Sequence, residues 1–229
     1  NIGTFNADVD WGDGTVETIT TYNGFSHEYA AIDDYTISIS GTFPNIYMYG
    51  DAAEGAKLKK VLNLGTVGWT SFFYAFRSCV NLTEFTVGTT DTSSVTNMQG
   101  MFAQSVVTSL DLSGFDTTSV NNMYIMFYGA SALISLDVSS FNTSLVPNMY
   151  GMFYANYALT SIDVSSFDTS SVTNIGSMFF DCSGLTSIDV SSFDTSSVTN
   201  MAQMFISCTG LTSIVGVEDF DITRLNSTG

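Results

Sequence analysis

Histidine, proline and basic residues are scarce in this chain: one His, two Pro and five Lys or Arg among 229 residues. The five cations, Lys57, Lys59, Lys60, Arg77 and Arg224, stand against 22 acidic residues. The resulting net charge of −17 sets up a field that repels nucleic acid and anionic lipid, so neither is expected as a partner. No run of about 18 apolar residues is present, and no membrane insertion is expected. The chain does not open with Met or with a basic-then-apolar leader, and it reads as a mature or excised piece. There is no Cys-x-x-Cys pair, no His-Glu-x-x-His, no glycine-rich phosphate loop and no triad arrangement, which removes the residues for zinc, nucleotide and acyl-transfer chemistry. An enzyme is not expected. The lone His27, beside Tyr29, is read as a packing or turn-bonding residue. Cys79, Cys182 and Cys208 are an odd number and imply no disulfide framework.

Apolar material is not lacking. With 45% hydrophobic residues and a mean hydropathy of +0.23, the chain has enough for an ordered core despite its many Ser and Thr. That material is periodic. A phrase of the form Leu-Thr-Ser-Ile-Asp-Val-Ser-Ser-Phe-Asp-Thr-Ser-Ser-Val-Thr-Asn-Met-x-x-Met-Phe-x-x-Cys recurs from Leu82, Val107, Leu133, Leu159 and Leu185, with a looser copy from Leu58 and a truncated one from Leu211. The spacings run 24, 25, 26, 26, 26 and 26, and a tandem period in this range signals a solenoid.

Two periodicities alternate within each coil. Ile188-Asp189-Val190-Ser191 is apolar at every second position, which predicts a short half-buried strand. Met201, Met204, Phe205 and Cys208 fall at i, i+3, i+4 and i+7, which predicts one stripe of a short helix. Each coil is thus expected to run strand, turn, helix, turn. Stacking lines up Met98, Met123, Met149, Ile175 and Met201, then Met101, Met126, Met152, Met178 and Met204, then Phe102, Phe127, Phe153, Phe179 and Phe205. A Met stripe also suits a pliable partner groove. Because the same slots take Phe and Ile, these columns are read as core. Cys182 and Cys208 share a small-residue slot with Ser105, Ala130 and Asn156; they are read as buried free thiols, with a bridge between adjacent coils geometrically conceivable.

Polar columns repeat as well. Asn97, Asn122, Asn148, Asn174 and Asn200 precede each Met segment and are read as caps. Asp91, Asp116, Asn142, Asp168 and Asp194 form a second column, each followed by Thr; one neutral member implies that hydrogen bonding, not charge, is required there. The functional candidate is a third column, Asp111, Asp137, Asp163 and Asp189, in the outward strand position between buried neighbours. Carboxylates stacked about 4.8 Å apart repel one another. The flanking serines, Ser109 and Ser113 and their equivalents, offset this by hydrogen bonding on one reading, and a divalent cation or a cationic or hydroxyl-rich partner does so on the other.

Residues 1–43 differ from the rest. Ala7–Trp11 and Val16–Thr20 alternate around the turn Gly12-Asp13-Gly14-Thr15, which predicts a β-hairpin, and Tyr35–Gly41 is a further strand. Asp8, Asp10 and Asp13 are a weak calcium candidate, since the full loop pattern is missing; no other cofactor is indicated. Pro44, Gly50 and Gly55 mark a junction over 44–57, and the solenoid of about five regular coils plus divergent ends is placed at 58–229.

The repeat phrase resembles the leucine-rich-type repeat of BspA-like bacterial surface proteins, over about residues 58–225. The Trp-Gly-Asp-Gly turn, His27-Glu28-Tyr29 and Asp34-Tyr35-Thr36-Ile37 resemble the second half of a PKD-like, immunoglobulin-like module. Together these resemblances imply an α/β solenoid, a right-handed stack, carrying a small N-terminal antiparallel β segment. They imply an extracellular or cell-surface module that adheres to a protein or glycan on another cell or in the same surface assembly. A structural coat, fibre or spacer of a surface layer or virion is the alternative. Ice binding is disfavoured because the strand face alternates Ser with charged Asp.

Overall fold

A computed structural model describes residues 4–22, 26–48 and 52–223. At the N-terminus β1 (Asn6–Asp10) pairs antiparallel with β2 (Val16–Ile19) and with β3 (Ser38–Thr42), in the order β2-β1-β3. The alternation read from the sequence decides which side faces in: Ala7 and Val9 are buried and Asp8 and Asp10 are exposed. The hairpin closes where the Trp11 N–H donates to the Thr15 carbonyl at 3.1 Å.

From Phe43 onward the chain is wound into coils that bond to one another in parallel. Bridges join Asn45 to Ser71, Ser71 to Asn97, Asn97 to Asn122, Asn148 to Asn174 and Asn174 to Asn200, one repeat apart each time. Short parallel pairs join β4 (Lys60–Val61) to β5 (Glu84–Phe85) and β6 (Ser187–Asp189) to β7 (Ser213–Val215). Coil-to-coil bonding starts inside the stretch read as a junction: the Phe43 N–H donates to the Val67 carbonyl (2.8 Å) and the Met48 N–H to that of Tyr74 (3.2 Å). Edge-on contact of Phe5 with Phe43, at 5.1 Å, carries the core of the sheet into the coils without a break.

The Met-x-x-Met-Phe segments are not helices, which corrects the strand-turn-helix reading. Among the described residues the α-helical segment is α1 (Ala52–Gly55), which lies outside them. In coil 97–105, alternate N–H groups leave the coil: Met98 donates to Asn122 (2.8 Å), Gly100 to Tyr124 (3.0 Å), Phe102 to Met126 (2.9 Å) and Gln104 to Tyr128 (2.6 Å). The intervening ones fold back three residues, Met101 to Met98 (3.2 Å), Ala103 to Gly100 (3.0 Å) and Ser105 to Phe102 (3.1 Å). The result is a ribbon of successive β-turns. Positive φ at the third residue of alternate turns, as at Gly100 (59°) and Gln104 (59°), is the type II signature.

The ribbon and a helix bury the same spacing, i, i+3 and i+4. The ribbon wins because half of its N–H groups find acceptors in the next coil, so each added coil satisfies the backbone of the one before. Ile125 is held at φ 48°, which a β-branched residue avoids, and the bonds on either side of it keep it there. At the matching Gly100 a Cβ would lie 2.1 Å from the Tyr74 ring, so a side chain is excluded unless the ring moves.

The predicted core columns are inside up to the last coil, where Met201 and Phe205 are partly buried. Met98, Met101, Met123, Met126, Met149, Met152 and Met178 are fully buried, as are Phe102, Phe127, Phe153 and Phe179. The Phe rings form one ladder from Phe76 to Phe205 with centroids 5.5–5.9 Å apart. Burial of each such side chain contributes on the order of 1.5–3 kcal/mol, which a coil realises only when neighbours cover it. All three cysteines are free. The conceivable Cys182–Cys208 bridge is not formed; each thiol donates instead to a carbonyl of the preceding coil, Phe153 (3.0 Å) and Phe179 (2.9 Å). Burial pushes the Cys182 thiol up to about 12, which keeps it protonated and inert.

Candidate functional site

The outward Asp column occupies the positions the sequence assigned to it. Asp111, Asp137, Asp163 and Asp189 are exposed, each between buried residues such as Leu136 and Val138. Each accepts through Oδ1 the N–H two residues on: Ser113 (3.1 Å), Ser139 (2.9 Å), Ser165 (2.9 Å) and Ser191 (2.9 Å). The Ser113 hydroxyl also donates to Asp111 at 2.6 Å. Of the two flanking serines, it is therefore the one after the Asp that supports it.

The second column does the same work. Asp91, Asp116, Asp168 and Asp194 accept from Ser93, Thr118, Ser170 and Ser196, and neutral Asn142 accepts from Ser144 at 3.1 Å. Since Asn142 makes the same turn, the requirement is an acceptor oxygen. The Asn column caps turns rather than helices, with Asn97, Asn122, Asn148, Asn174 and Asn200 accepting from the residue two ahead at 2.9–3.1 Å.

Electrostatics follow from these bonds. In both Asp columns the Ser or Thr hydroxyl, then its N–H, holds the carboxyl below the ordinary aspartate range. Like charge pushes the other way: Asp137 raises Asp111 and Asp163, and Asp163 raises Asp189. The hydrogen bonds prevail. The unfolded chain therefore binds more protons than the folded one in acid, and this share of stability is whole above about pH 4 and lost as pH falls through the depressed native values. Melting temperature followed from neutral pH to about pH 2 is expected to be flat and then to drop below about pH 4. A variant carrying Asp137→Asn, Asp163→Asn and Asp189→Asn should melt like the parent at neutral pH with a shallower acid limb.

The calcium candidate of the N-terminal sheet is hydrogen-bonded within the sheet and its turn. Among the described residues no group of three or more His, Cys, Asp or Glu side chains is placed to hold a metal, and Asp8, Asp10 and Asp13 are each engaged locally. Asp8 accepts from the Thr18 hydroxyl (2.6 Å), Asp10 from the Gly12 N–H (2.9 Å) and Asp13 from the Thr15 N–H (3.0 Å). The Thr15 hydroxyl and His27 hold the Asp13 carboxyl down to about 2. His27 stacks on Trp11 at 4.8 Å and meets Asp13 through Nε2 at 2.8 Å, a turn-bonding role.

Two features escaped the sequence reading. Thr92, Thr117, Thr143, Thr169 and Thr195 are buried, and their hydroxyls cross-link coils. Thr92 donates to the Asp116 carbonyl (3.0 Å) while accepting the Asp116 N–H (2.7 Å). The recurrence of Thr after each Asp was the available signal. On the ribbon face, Tyr128, Tyr154 and Phe180 stack at 4.6–4.7 Å, covering one another's ring faces. No helix among the described residues is long and apolar enough to cross a membrane.

The family described as "Mycoplasma protein of unknown function, DUF285" matches the chain twice, over residues 70–162 and 134–228. Among solved structures, a leucine-rich repeat protein from Bacteroides ovatus is 16% identical, over 88% of this chain and 79% of that chain, with a TM-score of 0.23. So low a TM-score bears on neither fold nor function. No curated protein matches the chain.

Proposed function

The chain belongs to the DUF285 family, whose description is of mycoplasma proteins of unknown function, and on that premise we propose that it is a non-enzymatic module of the cell surface. It binds a cationic or hydroxyl-rich partner, a protein or glycan, through its extended acidic face. The resemblance of the repeat phrase to BspA-like surface proteins supports an extracellular, leucine-rich-repeat-like reading. The observation that carries the proposal is the outward column of Asp111, Asp137, Asp163 and Asp189, one carboxylate per coil at a constant register. Their turn bonds use Oδ1, and the side chains remain exposed, so the column offers a partner repeated negative charge on a rigid scaffold.

Because Asn makes the same turn, Asp137→Asn, Asp163→Asn and Asp189→Asn together remove charge while keeping the scaffold. Binding to host-cell or matrix surfaces is expected to fall at least tenfold and to weaken with added salt. Unchanged binding by the folded triple variant would discard the acidic face.

A further inference from the structure

At the seam between Asn122 and Asn148, in the middle of the stack, the regular coil-to-coil bonding lapses, and we propose that this seam binds the acetamido group of a neutral N-acetylated sugar. Position 147 is the cause. In the column one residue before the Asn caps, Thr96, Asn121, Thr173 and Thr199 donate their N–H groups to the carbonyls of Thr70, Thr96, Pro147 and Thr173 at 2.8–3.1 Å. Pro147 stands in that column and has no N–H to give, so the Asn121 carbonyl has no backbone donor among the described residues. The gap spreads to the next bond. Phe72, Met98, Met149 and Ile175 each donate to the carbonyl of the next coil's Asn at 2.8–2.9 Å, whereas the Met123 N–H has no acceptor among the described residues. Asn97 is bridged to Asn122 and Asn148 to Asn174, but Asn122 is not bridged to Asn148. The seam closes again two residues on, where the Ile125 N–H donates to the Tyr150 carbonyl at 3.0 Å.

A groove of about 440 Å³ opens at this place, lined by Gln99, Asn121, Asn122, Tyr124, Pro147 and Asn148. Its size is that of a small-ligand site. Four primary amides and one phenol ring face it and no charged side chain does, although the chain carries a net charge of −17. None of these residues belongs to the acidic column, so the inference is independent of that face. The amides are held in place. Asn122 Nδ2 donates to Gln99 Oε1 (3.1 Å) and Gln99 Nε2 to the Tyr74 hydroxyl (3.1 Å). Asn148 accepts the Tyr150 N–H through Oδ1 (3.0 Å), and its Nδ2 has no partner among the described residues. Tyr124 is backed by Tyr150, stacked at 5.6 Å. The matching position in the coil before it is Gln99, and no ring stacks on the opposite face of Tyr124 among the described residues.

These features select the occupant. What Pro147 withholds is the N–H of one peptide unit, and an acetamido group is a peptide unit: its N–H answers the Asn121 carbonyl, and its C=O answers the free Nδ2 of Asn148. Hydroxyls of the same sugar suit the other amides, each of which carries donors and an acceptor side by side. The negative face of the Tyr124 ring suits the C–H bonds of a sugar ring. An anionic sugar would find no cation in this lining, and a cationic one no carboxylate. A peptide in strand form is the poorer match, because bonding between the coils is intact on both sides of the gap and leaves no row of backbone partners to pair with it.

The test titrates the intact, isotope-labelled chain with the trimer of N-acetylglucosamine and follows backbone amide signals by NMR. Those of Asn122, Met123, Tyr124 and Asn148 are expected to shift saturably at millimolar sugar, with those of the outward Asp column unmoved. The glucose trimer, which has the hydroxyls but no acetamido group, should bind about tenfold more weakly. Pro147→Thr installs the residue type found at positions 70, 96, 173 and 199 and supplies the missing N–H, so it should weaken binding about tenfold or more while the melting temperature holds or rises. No shift at the seam, equal binding of the two trimers, equal or tighter binding of acetyl-triglycine amide, or undiminished binding by a folded Pro147→Thr variant would overturn the proposal.

Discussion

Phe153→Ala is expected to lower stability by about 3–5 kcal/mol, the cost of emptying a fully buried aromatic site that cannot collapse. Phe153 is at the middle of the ladder, with Phe127 at 5.6 Å on one side and Phe179 at 5.5 Å on the other, both nearly parallel to it. Its backbone is held as well, by the bond from its N–H to the Met178 carbonyl (2.9 Å). The surrounding ribbons therefore have little freedom to move in. In a stack whose coils touch only their neighbours, such a defect also weakens the coupling between the halves on either side. Chemical denaturation should thus show a lower midpoint and a broader or split transition. Phe205→Ala is the contrasting case: among the described residues that ring has one stacking neighbour, and it is partly exposed, so its removal should cost clearly less and leave the transition single. Equal costs at the two positions would mean that ladder position does not govern stability.

Much of this architecture was legible because like residues stack on like. The Met and Phe columns, the small slot of Cys182 and Cys208 and the outward Asp column can be read from the period alone, and burial places them as read except in the last coil, where Met201, Phe205 and Cys208 are partly exposed. The helix was misread for a physical reason. Spacing at i, i+3 and i+4 states which side chains share a face, and a ribbon of turns presents that face as well as a helix does. A discriminating signal was present in Gly100, Gly129 and Gly151, residues a helix interior disfavours, which occupy positive φ slots four apart in the ribbon. Tyr74, Ile125 and Asp181 in the equivalent slots concealed it. The start of the coils at Phe43 was hidden because Phe43, Asn45 and Met48 join the stack through backbone bonds and share no phrase with the repeats. For the acidic face, the neutral Asn142 already indicated that an acceptor oxygen suffices in one column. The parallel role of Ser113, Ser139, Ser165 and Ser191 in the other column required the structure.

The buried Thr column gives the second large effect. Thr92→Val keeps the shape of the side chain and its burial but removes a hydroxyl that serves both backbone groups of Asp116, accepting its N–H at 2.7 Å and donating to its carbonyl at 3.0 Å. Valine offers neither, and water has little access beside a residue that is 1% exposed. Orphaned backbone groups of this kind cost about 1–3 kcal/mol, partly offset by the gain from an apolar side chain. Thr92→Val is therefore expected to destabilise the fold by about 1–3 kcal/mol, while Thr92→Ser, which keeps the hydroxyl, should recover most of it. Amide exchange locates the effect: Asp116 should lose protection in the valine variant, with Met98 and Phe102, whose N–H groups bond across the ribbon face of the same two coils, affected less. If valine were as stable as threonine, the contact between coils at this corner would rest on packing alone, and the recurrence of Thr at positions 92, 117, 143, 169 and 195 would need another cause.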